Sequence, residues 1–123
     1  MANFHHRKLP AYSTLLMGRE PPDRVGFQSE KLQIWYNNTD VPWQDEGSHV
    51  HNESDECFIV LKGKLKLEVE GEIHSVSAGE FCCFPVGVAH AVLEVETPAE
   101  TLMIRAPSVE DKVYRKAATP TSE

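Results

Sequence analysis

The feature that most constrains this chain is a pair of histidines on one predicted strand, in the segment GSHVHNESDECFIVLKG from 47 to 63. His49 and His51 are two residues apart, and residues i and i+2 of an extended strand leave the backbone on the same face. The polar run NESDE predicts a turn, and the apolar run CFIVL predicts a second strand that starts at Glu56 and closes on Gly63. If the two strands pair, two imidazole nitrogens and one carboxylate oxygen come together. Those groups form most of a divalent transition-metal site.

A fourth ligand for such a site is predicted from the segment GEFCCFPVGVAH, which runs from 79 to 90. An apolar strand leads into Pro85 and Gly87, which indicate a tight turn because proline fixes φ and glycine permits positive φ. His90 opens the strand that follows. Two histidines on one strand face can also be a solvated or hydrogen-bonded pair without a metal. The metal interpretation therefore depends on the complete ordered set of three histidines and one glutamate.

These two segments resemble the two motifs of the cupin superfamily, HxHxxxxE followed by glycine and then GxxxxxPxGxxH. The matching residues are His49, His51, Glu56 and Gly63 in the first motif, and Gly79, Pro85, Gly87 and His90 in the second. Within the superfamily, the chain most resembles small single-domain cupins labelled mannose-6-phosphate-isomerase-like, from about Gly47 to Ile104. The resemblance implies a jelly-roll barrel, also called a double-stranded β-helix. It also implies that the three histidines and Glu56 bind one divalent transition metal, with iron, manganese, zinc and nickel as the candidates.

Two positions depart from the family's motifs. Trp43 stands where the first motif usually opens with glycine, and Glu94 stands where the second usually ends in asparagine. Glu94 is on the predicted strand AVLEV, about 13 Å along from His90 and on the same face, so we predict it as a candidate catalytic residue on that wall. The alternative is a solvent-exposed carboxylate at a strand end. Trp43 either covers apolar surface or contacts substrate at the cavity mouth.

The charge and composition of the chain exclude several classes of function. With 123 residues, 41% of them hydrophobic, it is long enough for one globular domain and too apolar for a disordered chain. Its net charge of -7 and the lack of a basic cluster disfavour a nucleic-acid partner. Residues 1–30 contain no apolar run of the length of a secretion signal or membrane span. We therefore expect a cytoplasmic protein with no membrane partner.

The three cysteines agree with a reducing compartment. Their number is odd, and Cys82 and Cys83 are adjacent, which makes a poor disulfide framework. We expect all three, Cys57 included, to be small buried residues in strands. Alternation places Cys57 on the face opposite Glu56 and allows at most one residue of the adjacent pair to face the interior.

Hydrophobic alternation in KLKLEVEGEIHSVSAGE, from 64 to 80, predicts an antiparallel hairpin with one wet face and a turn at Gly71. His74 in this hairpin has no partner at ligand spacing and is predicted to lie on the surface, as are His5 and His6 near the amino end. Roughly eight to ten short strands in all indicate an all-β sandwich or barrel. The resemblance narrows this to the jelly roll, and its exposed sheet edges favour a homodimer.

The expected organisation has three parts. Residues 1–30 form an N-terminal arm with a short strand, residues 31–107 form the barrel, and residues 108–123 form a C-terminal turn and tail. Ser108 can cap one helical turn, with Asp111 three residues on. The predicted core comprises Phe58, Val60, Leu65, Leu67, Val69, Val92 and either Phe81 or Phe84.

Two functions from different classes fit these observations. One is a metal-dependent enzyme on a small oxygen-rich or anionic molecule, with dioxygenase, isomerase or decarboxylase-type chemistry. The other is a non-catalytic, metal-dependent domain that binds or senses a small molecule. The ligand set does not choose between them, because one fold supports both.

Overall fold

A computed structural model describes residues 4–20 and 25–115 of the chain, and within them the secondary structure consists of nine β-strands. The strands are β1 (Thr14–Gly18), β2 (Phe27–Gln28), β3 (Gln33–Thr39), β4 (His49–His51), β5 (Asp55–Val69), β6 (Glu72–Ser77), β7 (Phe81–Phe84), β8 (His90–Ala106) and β9 (Lys112–Tyr114). The fold is the predicted all-β jelly roll. None of the described residues forms a helix long and apolar enough to cross a membrane.

Two long strands, β5 and β8, run antiparallel to one another and connect the two halves of the barrel. In one half the strand order is β2, β1, β3, the end of β8, the start of β5, and β7. In the other half the order is β9, β4, the start of β8, the end of β5, and β6. Side chains from both halves meet between them, so β5 and β8 each contribute residues to the core and to the site.

The strand that the sequence predicts to close on Gly63 continues beyond it, because Gly63 lies inside the long strand β5. β5 and β8 change register between Val60 and Lys64, and the chain bends there without leaving the sheet. Gly63 adopts a φ of 82°, and a Cβ added to it would lie 2.5 Å from the Glu96 carbonyl oxygen. The glycine therefore permits a close crossing of two strands, where we expected a strand to end.

Alternation along β5 predicts the core correctly. Leu65 and Leu67 are fully buried, and Val69 is half-buried against them. Phe84 is the core aromatic residue of β7, whereas Phe81 points outward with 71% of its surface exposed. The remaining buried core residues are Phe58, Val60, Val76, Val92, Val95, Ala99 and Met103.

The carboxyl-terminal segment differs from its prediction. The helical turn expected after Pro107 is wrong, because residues 108–111 have no regular structure and Lys112–Tyr114 forms β9 beside β4. Ser108 does not cap a helix, and its hydroxyl instead accepts a hydrogen bond from the backbone N–H of Arg19. The predicted tail ATPTSE, from 118 to 123, lies outside the described residues. The pairing of β9 with β4 brings Asp111 next to the histidines of β4.

Candidate metal centre

Four buried side chains from three strands meet inside the barrel: His49 and His51 on β4, Glu56 on β5 and His90 on β8. One ligand atom from each lies within 4.8 Å of all the others. His49 and His90 face each other as register partners of β4 and β8. The structure thus brings together all four residues that the sequence nominated as ligands.

Each histidine has a hydrogen-bond acceptor at Nδ1. The Gly47 carbonyl lies 3.2 Å from His49 Nδ1, an Asp111 carboxylate oxygen lies 2.9 Å from His51 Nδ1, and the Val88 carbonyl lies 3.0 Å from His90 Nδ1. An acceptor there assigns the proton to Nδ1 and leaves a lone pair on Nε2. In each neutral ring, Nε2 is therefore the nitrogen that can coordinate a metal.

The contacts of Nε2 supply a direct test of whether the cluster suits a cation. His90 Nε2 lies 2.8 Å from Glu56 Oε1. His51 Nε2 lies 3.3 Å from the same oxygen, is fully buried and makes no hydrogen bond. A buried polar atom without a partner is costly, and a divalent cation beside Glu56 would satisfy it. The four residues fit a metal ion on these grounds.

Glu56 is held as a carboxylate by Arg105. Its second oxygen, Oε2, accepts a hydrogen bond from Arg105 Nη2 at 3.1 Å, and Arg105 Nη1 donates to the Gln33 side chain at 2.9 Å. Burial by itself would raise the pKa of Glu56, but contacts with His51 and His90 and the charge of Arg105 hold this pKa far below its usual value. Glu56 is therefore negatively charged at neutral pH, as a ligand must be.

The buried histidines of β4 differ in their pKa. Burial lowers the pKa of His49, which favours the neutral ring that a metal requires. Burial acts in the same direction on His51, but its contacts with Glu56 and Asp111 outweigh burial and raise the pKa of His51 above its ordinary value. A metal ion that binds His51 must therefore compete with a proton up to a higher pH than at an ordinary histidine.

Asp111 is a site residue that the sequence did not reveal. One oxygen faces His51, and the other accepts hydrogen bonds from the backbone N–H groups of Glu53 and Ser54 at 2.8 and 2.9 Å and from the Ser54 hydroxyl at 2.8 Å. Burial tends to raise the pKa of Asp111, but these bonds lower it below its usual value. Asp111 thus orients His51 and also fixes the turn between β4 and β5.

Phe84 packs against the ring of His90. Its ring stacks on the ring of His90, with centroids 3.8 Å apart and planes 3° from parallel. Phe84 is also the register partner of Glu56 across β5 and β7, so one aromatic side chain packs beside two members of the cluster. This packing restricts the rotation of His90 and keeps its Nε2 directed at Glu56.

A cavity of about 420 Å³ adjoins the cluster, with Glu56 in its wall. The other residues that line it are Gln33, Trp35, Asn37, Trp43, Asp45, Phe58, Met103, Arg105, Glu110 and Lys112. Trp43 both packs against the core and lines this cavity, so the two roles considered for it are compatible. Arg105 is buried, and its Nε makes no hydrogen bond. The cavity therefore has a cationic donor close to the carboxylate of the cluster.

Glu94 does not join the cluster. The register of β5 and β8 shifts between Lys66 and Leu67, so Val92 pairs with Leu67 and Glu94 pairs with Lys66. This bulge reverses the alternation, leaving Val92 buried and Glu94 exposed on the outer surface. The expectation that Glu94 shares a wall with His90 is therefore wrong. His74, His5 and His6 are exposed, as predicted.

Fold and site together define a jelly-roll β-barrel with a buried group of three histidines and one glutamate that could bind a metal. The model of the cupin domain matches residues 39–105, which is more than half of the chain. The chain belongs to the cupin family. The matched segment contains all four residues of the cluster and both motifs on which the resemblance was based.

Individual relatives agree with this assignment. The chain is 36% identical over 79 residues to an uncharacterized protein of Aquifex aeolicus (strain VF5), an alignment that covers 64% of this chain and 60% of the relative's length. A cupin protein of Bacteroides fragilis superposes with a TM-score of 0.66 at 14% identity, covering 100% of this chain and 98% of that one. The family assignment rests on the domain match, and the Bacteroides fragilis structure shows the likeness of the fold.

Two further solved structures share the fold. Pac13 of Streptomyces, described as a nucleoside dehydratase, has a TM-score of 0.59 at 11% identity and covers 72% of this chain and 71% of its own. A Ralstonia eutropha JMP134 protein, provisionally named a mannose-6-phosphate isomerase, has a TM-score of 0.55 at 18% identity and covers 63% of this chain and 76% of its own. At these identities the likeness concerns the fold alone.

Proposed function

We propose that this cupin is a metal-dependent enzyme that acts on a small oxygen-rich or anionic molecule. In this proposal His49, His51, Glu56 and His90 bind one divalent transition metal, which is iron, manganese, zinc or nickel. The observation behind the proposal is a set of three imidazoles, each with an acceptor at Nδ1, whose ligand atoms and that of Glu56 lie within 4.8 Å of one another beside a cavity of about 420 Å³. A metal held there supplies Lewis-acid activation of a carbonyl or hydroxyl group, or of bound water.

The chemistry of the cavity supports an anionic or oxygen-rich substrate. Arg105 lines the cavity, where it carries a positive charge and donates to Glu56 and Gln33. The side chains of Asn37 and Lys112 add donors to the same wall. Trp35 and Trp43 are flat apolar surfaces that exclude water from one side of a small ligand. These donors suit a carboxylate, a phosphate or a polyhydroxyl compound.

A binding or sensing domain is the second candidate, and one observation favours it. Among the described residues that line the cavity, the carboxylates are Glu56, Asp45 and Glu110. Glu56 is paired with Arg105, and Asp45 accepts a hydrogen bond from the Val92 backbone at 2.7 Å. The side chain of Glu110 is 78% exposed. The cavity therefore has no buried carboxylic acid that is free to exchange protons with a substrate.

The test is a screen of small carboxylates, sugar phosphates and catechols against the protein purified anaerobically and loaded with each candidate metal. The enzyme proposal expects turnover of at least one compound, abolished in His90→Ala and unchanged in His74→Ala, which removes an exposed histidine. Saturable binding of a ligand without turnover would support the sensing domain. Turnover that persists in His90→Ala would contradict the assignment of the site.

We propose further that the protein acts as a cytoplasmic homodimer. Strand β9 lies at the edge of the sheet and exposes Val113 and Tyr114 by 46% and 47%, and an exposed edge with apolar side chains is typical of subunit contacts. The odd number of cysteines, with Cys82 and Cys83 adjacent, suits a reducing compartment. Sedimentation equilibrium of the full chain measures the mass directly, and a monomer at all concentrations would exclude the dimer.

A further inference from the structure

Two cysteines face each other on the outside of the barrel. Cys57 of β5 and Cys83 of β7 are register partners in the antiparallel pair. Their neighbours Glu56 and Phe84 are also partners, and both are buried. Because alternate residues of a strand point to opposite faces, both cysteine side chains point outward. The two thiols therefore lie side by side on one surface of the sheet.

The hydrogen bonds of the sheet show what kind of pair this is. The Val60 backbone N–H donates to the Glu80 carbonyl at 3.0 Å, in the same register as the cysteine pair. In an antiparallel ladder, hydrogen-bonded pairs alternate with non-hydrogen-bonded pairs. The pair of residues 58 and 82 is therefore hydrogen-bonded, and the adjacent pair of Cys57 and Cys83 is non-hydrogen-bonded. Non-hydrogen-bonded partners have Cα atoms about 4.5 Å apart, which is within the range of about 4.4–6.8 Å that a disulfide spans.

The exposure of the three cysteines differs from the sequence-based expectation. Cys82 faces inward and packs against the core, so one of the adjacent pair does look into the barrel. Cys83 is exposed rather than buried, and Cys57 is half-buried because β5 lies between β7 and β8. One thiol of the outward pair is therefore open to solutes, and its partner is adjacent and sheltered.

We propose that Cys57 and Cys83 form a reversible disulfide across β5 and β7 when the protein meets a low-molecular-weight disulfide such as oxidised glutathione. The Cys83 thiolate attacks one sulfur of the reagent, which gives a mixed disulfide and releases one glutathione thiolate that takes up a proton. Cys57 then loses its proton and attacks Cys83 Sγ, which forms the protein disulfide and releases the second glutathione as a thiolate that takes up this proton. Two protein thiols are oxidised, and one oxidised glutathione is reduced to two thiols.

The order of the two steps follows from exposure. Oxidised glutathione is bulky and can reach Cys83 at the surface, whereas Cys57 is sheltered between two strands. Cys57 is positioned to resolve the mixed disulfide because the sheet already holds it opposite Cys83. The product would tie together the two strands that carry Glu56 and Phe84. This inference concerns the outer face and does not depend on the proposed enzyme activity.

The experiment uses the full chain, reduced, freed of metal with EDTA and then exposed to oxidised glutathione before remaining thiols are alkylated. Intact mass and tryptic peptides identify the products, because cleavage after Lys62 separates Cys57 from the other two cysteines. Cys82→Ser is the matched control, since it removes the adjacent inward thiol. Cys57→Ser and Cys83→Ser each remove one member of the pair.

The proposal expects the wild type and Cys82→Ser to lose two thiols without gaining glutathione, and to regain them on reduction. Cys57→Ser should instead retain glutathione on Cys83, and Cys83→Ser should form no internal link. Three results would overturn the proposal: a stable glutathione adduct on wild-type Cys83, an internal link that survives in Cys83→Ser, or links only between chains. If Cys57→Ser does not fold, Cys83→Ser carries the comparison, because its substitution is at the surface.

Discussion

Replacing Asp111 with asparagine should test whether Asp111 orients His51 for metal binding, because His51 itself is retained in the variant. Three donors, the two backbone N–H groups and the hydroxyl of the turn, share the Oδ2 atom of Asp111. The asparagine oxygen is expected to keep that position because those donors require an acceptor. The amide NH₂ group then replaces the oxygen that faces His51 Nδ1 at 2.9 Å. A donor now meets a donor, unless the His51 proton moves to Nε2.

Either response weakens the ligand. A His51 ring protonated at Nε2 has no lone pair for a metal, and a ring that keeps its Nδ1 proton must turn away from the new amide. Loss of such an outer partner costs about 10- to 100-fold in metal affinity, which corresponds to roughly 1.4–2.7 kcal/mol. The lost hydrogen bond to a charged group should also destabilise the metal-free fold by about 1.5–3 kcal/mol.

Competition titration of Zn²⁺ or Mn²⁺ measures the affinity, and thermal melts of the metal-free proteins measure the stability. Asp40→Asn is the matched control, because it removes the same charge from an exposed position. We expect the control to match the wild type in both measurements. An Asp111→Asn protein that is folded and binds metal with unchanged affinity would refute the role of Asp111 in orienting His51.

Two further predictions concern pH and the crossing of the long strands. Because contacts with Glu56 and Asp111 raise the pKa of His51, its proton stabilises the metal-free fold at low pH, and this contribution disappears as pH rises through that pKa. A metal ion must displace this proton in order to bind His51. A metal concentration a hundredfold above the Kd at pH 7.5 should therefore stabilise the fold by about 2.7 kcal/mol at that pH and by much less near pH 5.5. An equal shift in melting temperature at both pH values would contradict this. Gly63→Ala should lower the free energy of unfolding in urea by more than Gly71→Ala does. Both glycines have positive φ, but of the two only a Cβ at position 63 would clash with the backbone of another strand. Equal losses in the two variants would disprove a steric role for the strand crossing.

Local patterns in the sequence were sufficient to predict the four clustered residues and much of the core. His49 and His51 share a face because strand periodicity is two, and Leu65 and Leu67 are buried for the same reason. His90 follows a proline and glycine turn, which determines where its strand starts. These features depend on a few neighbouring residues, so they can be inferred before any long-range pairing is known.

The residues that were missed depend on contacts between distant parts of the chain. Asp111 lies 60 positions from His51, and Arg105 lies 72 positions from Gln33, so neither pairing leaves a local pattern. One weak signal was present, because the KVY segment after Asp111 is short, β-prone and of the length of an edge strand. The interpretation of Ser108 and Asp111 as the start of a helical turn conflicted with that signal.

The prediction for Glu94 was wrong for a different reason. Strict alternation from His90 assigns it to the inner face, but one bulge in β8 moves every later residue to the opposite side. The sequence does not mark that bulge, since it arises from the way β8 pairs with β5. Gly63 is similar, because positive φ serves a turn and a strand crossing equally well.

Elemental analysis of anaerobically purified protein measures whether the three histidines and Glu56 hold one metal ion. The metal content per chain is measured for the wild type, His51→Ala, His90→Ala and the exposed control His74→Ala after equilibration with the same metal. We predict about one ion per chain for the wild type and the control, and a large loss of metal in the two site variants. Full metal content in folded His51→Ala and His90→Ala proteins would contradict the site.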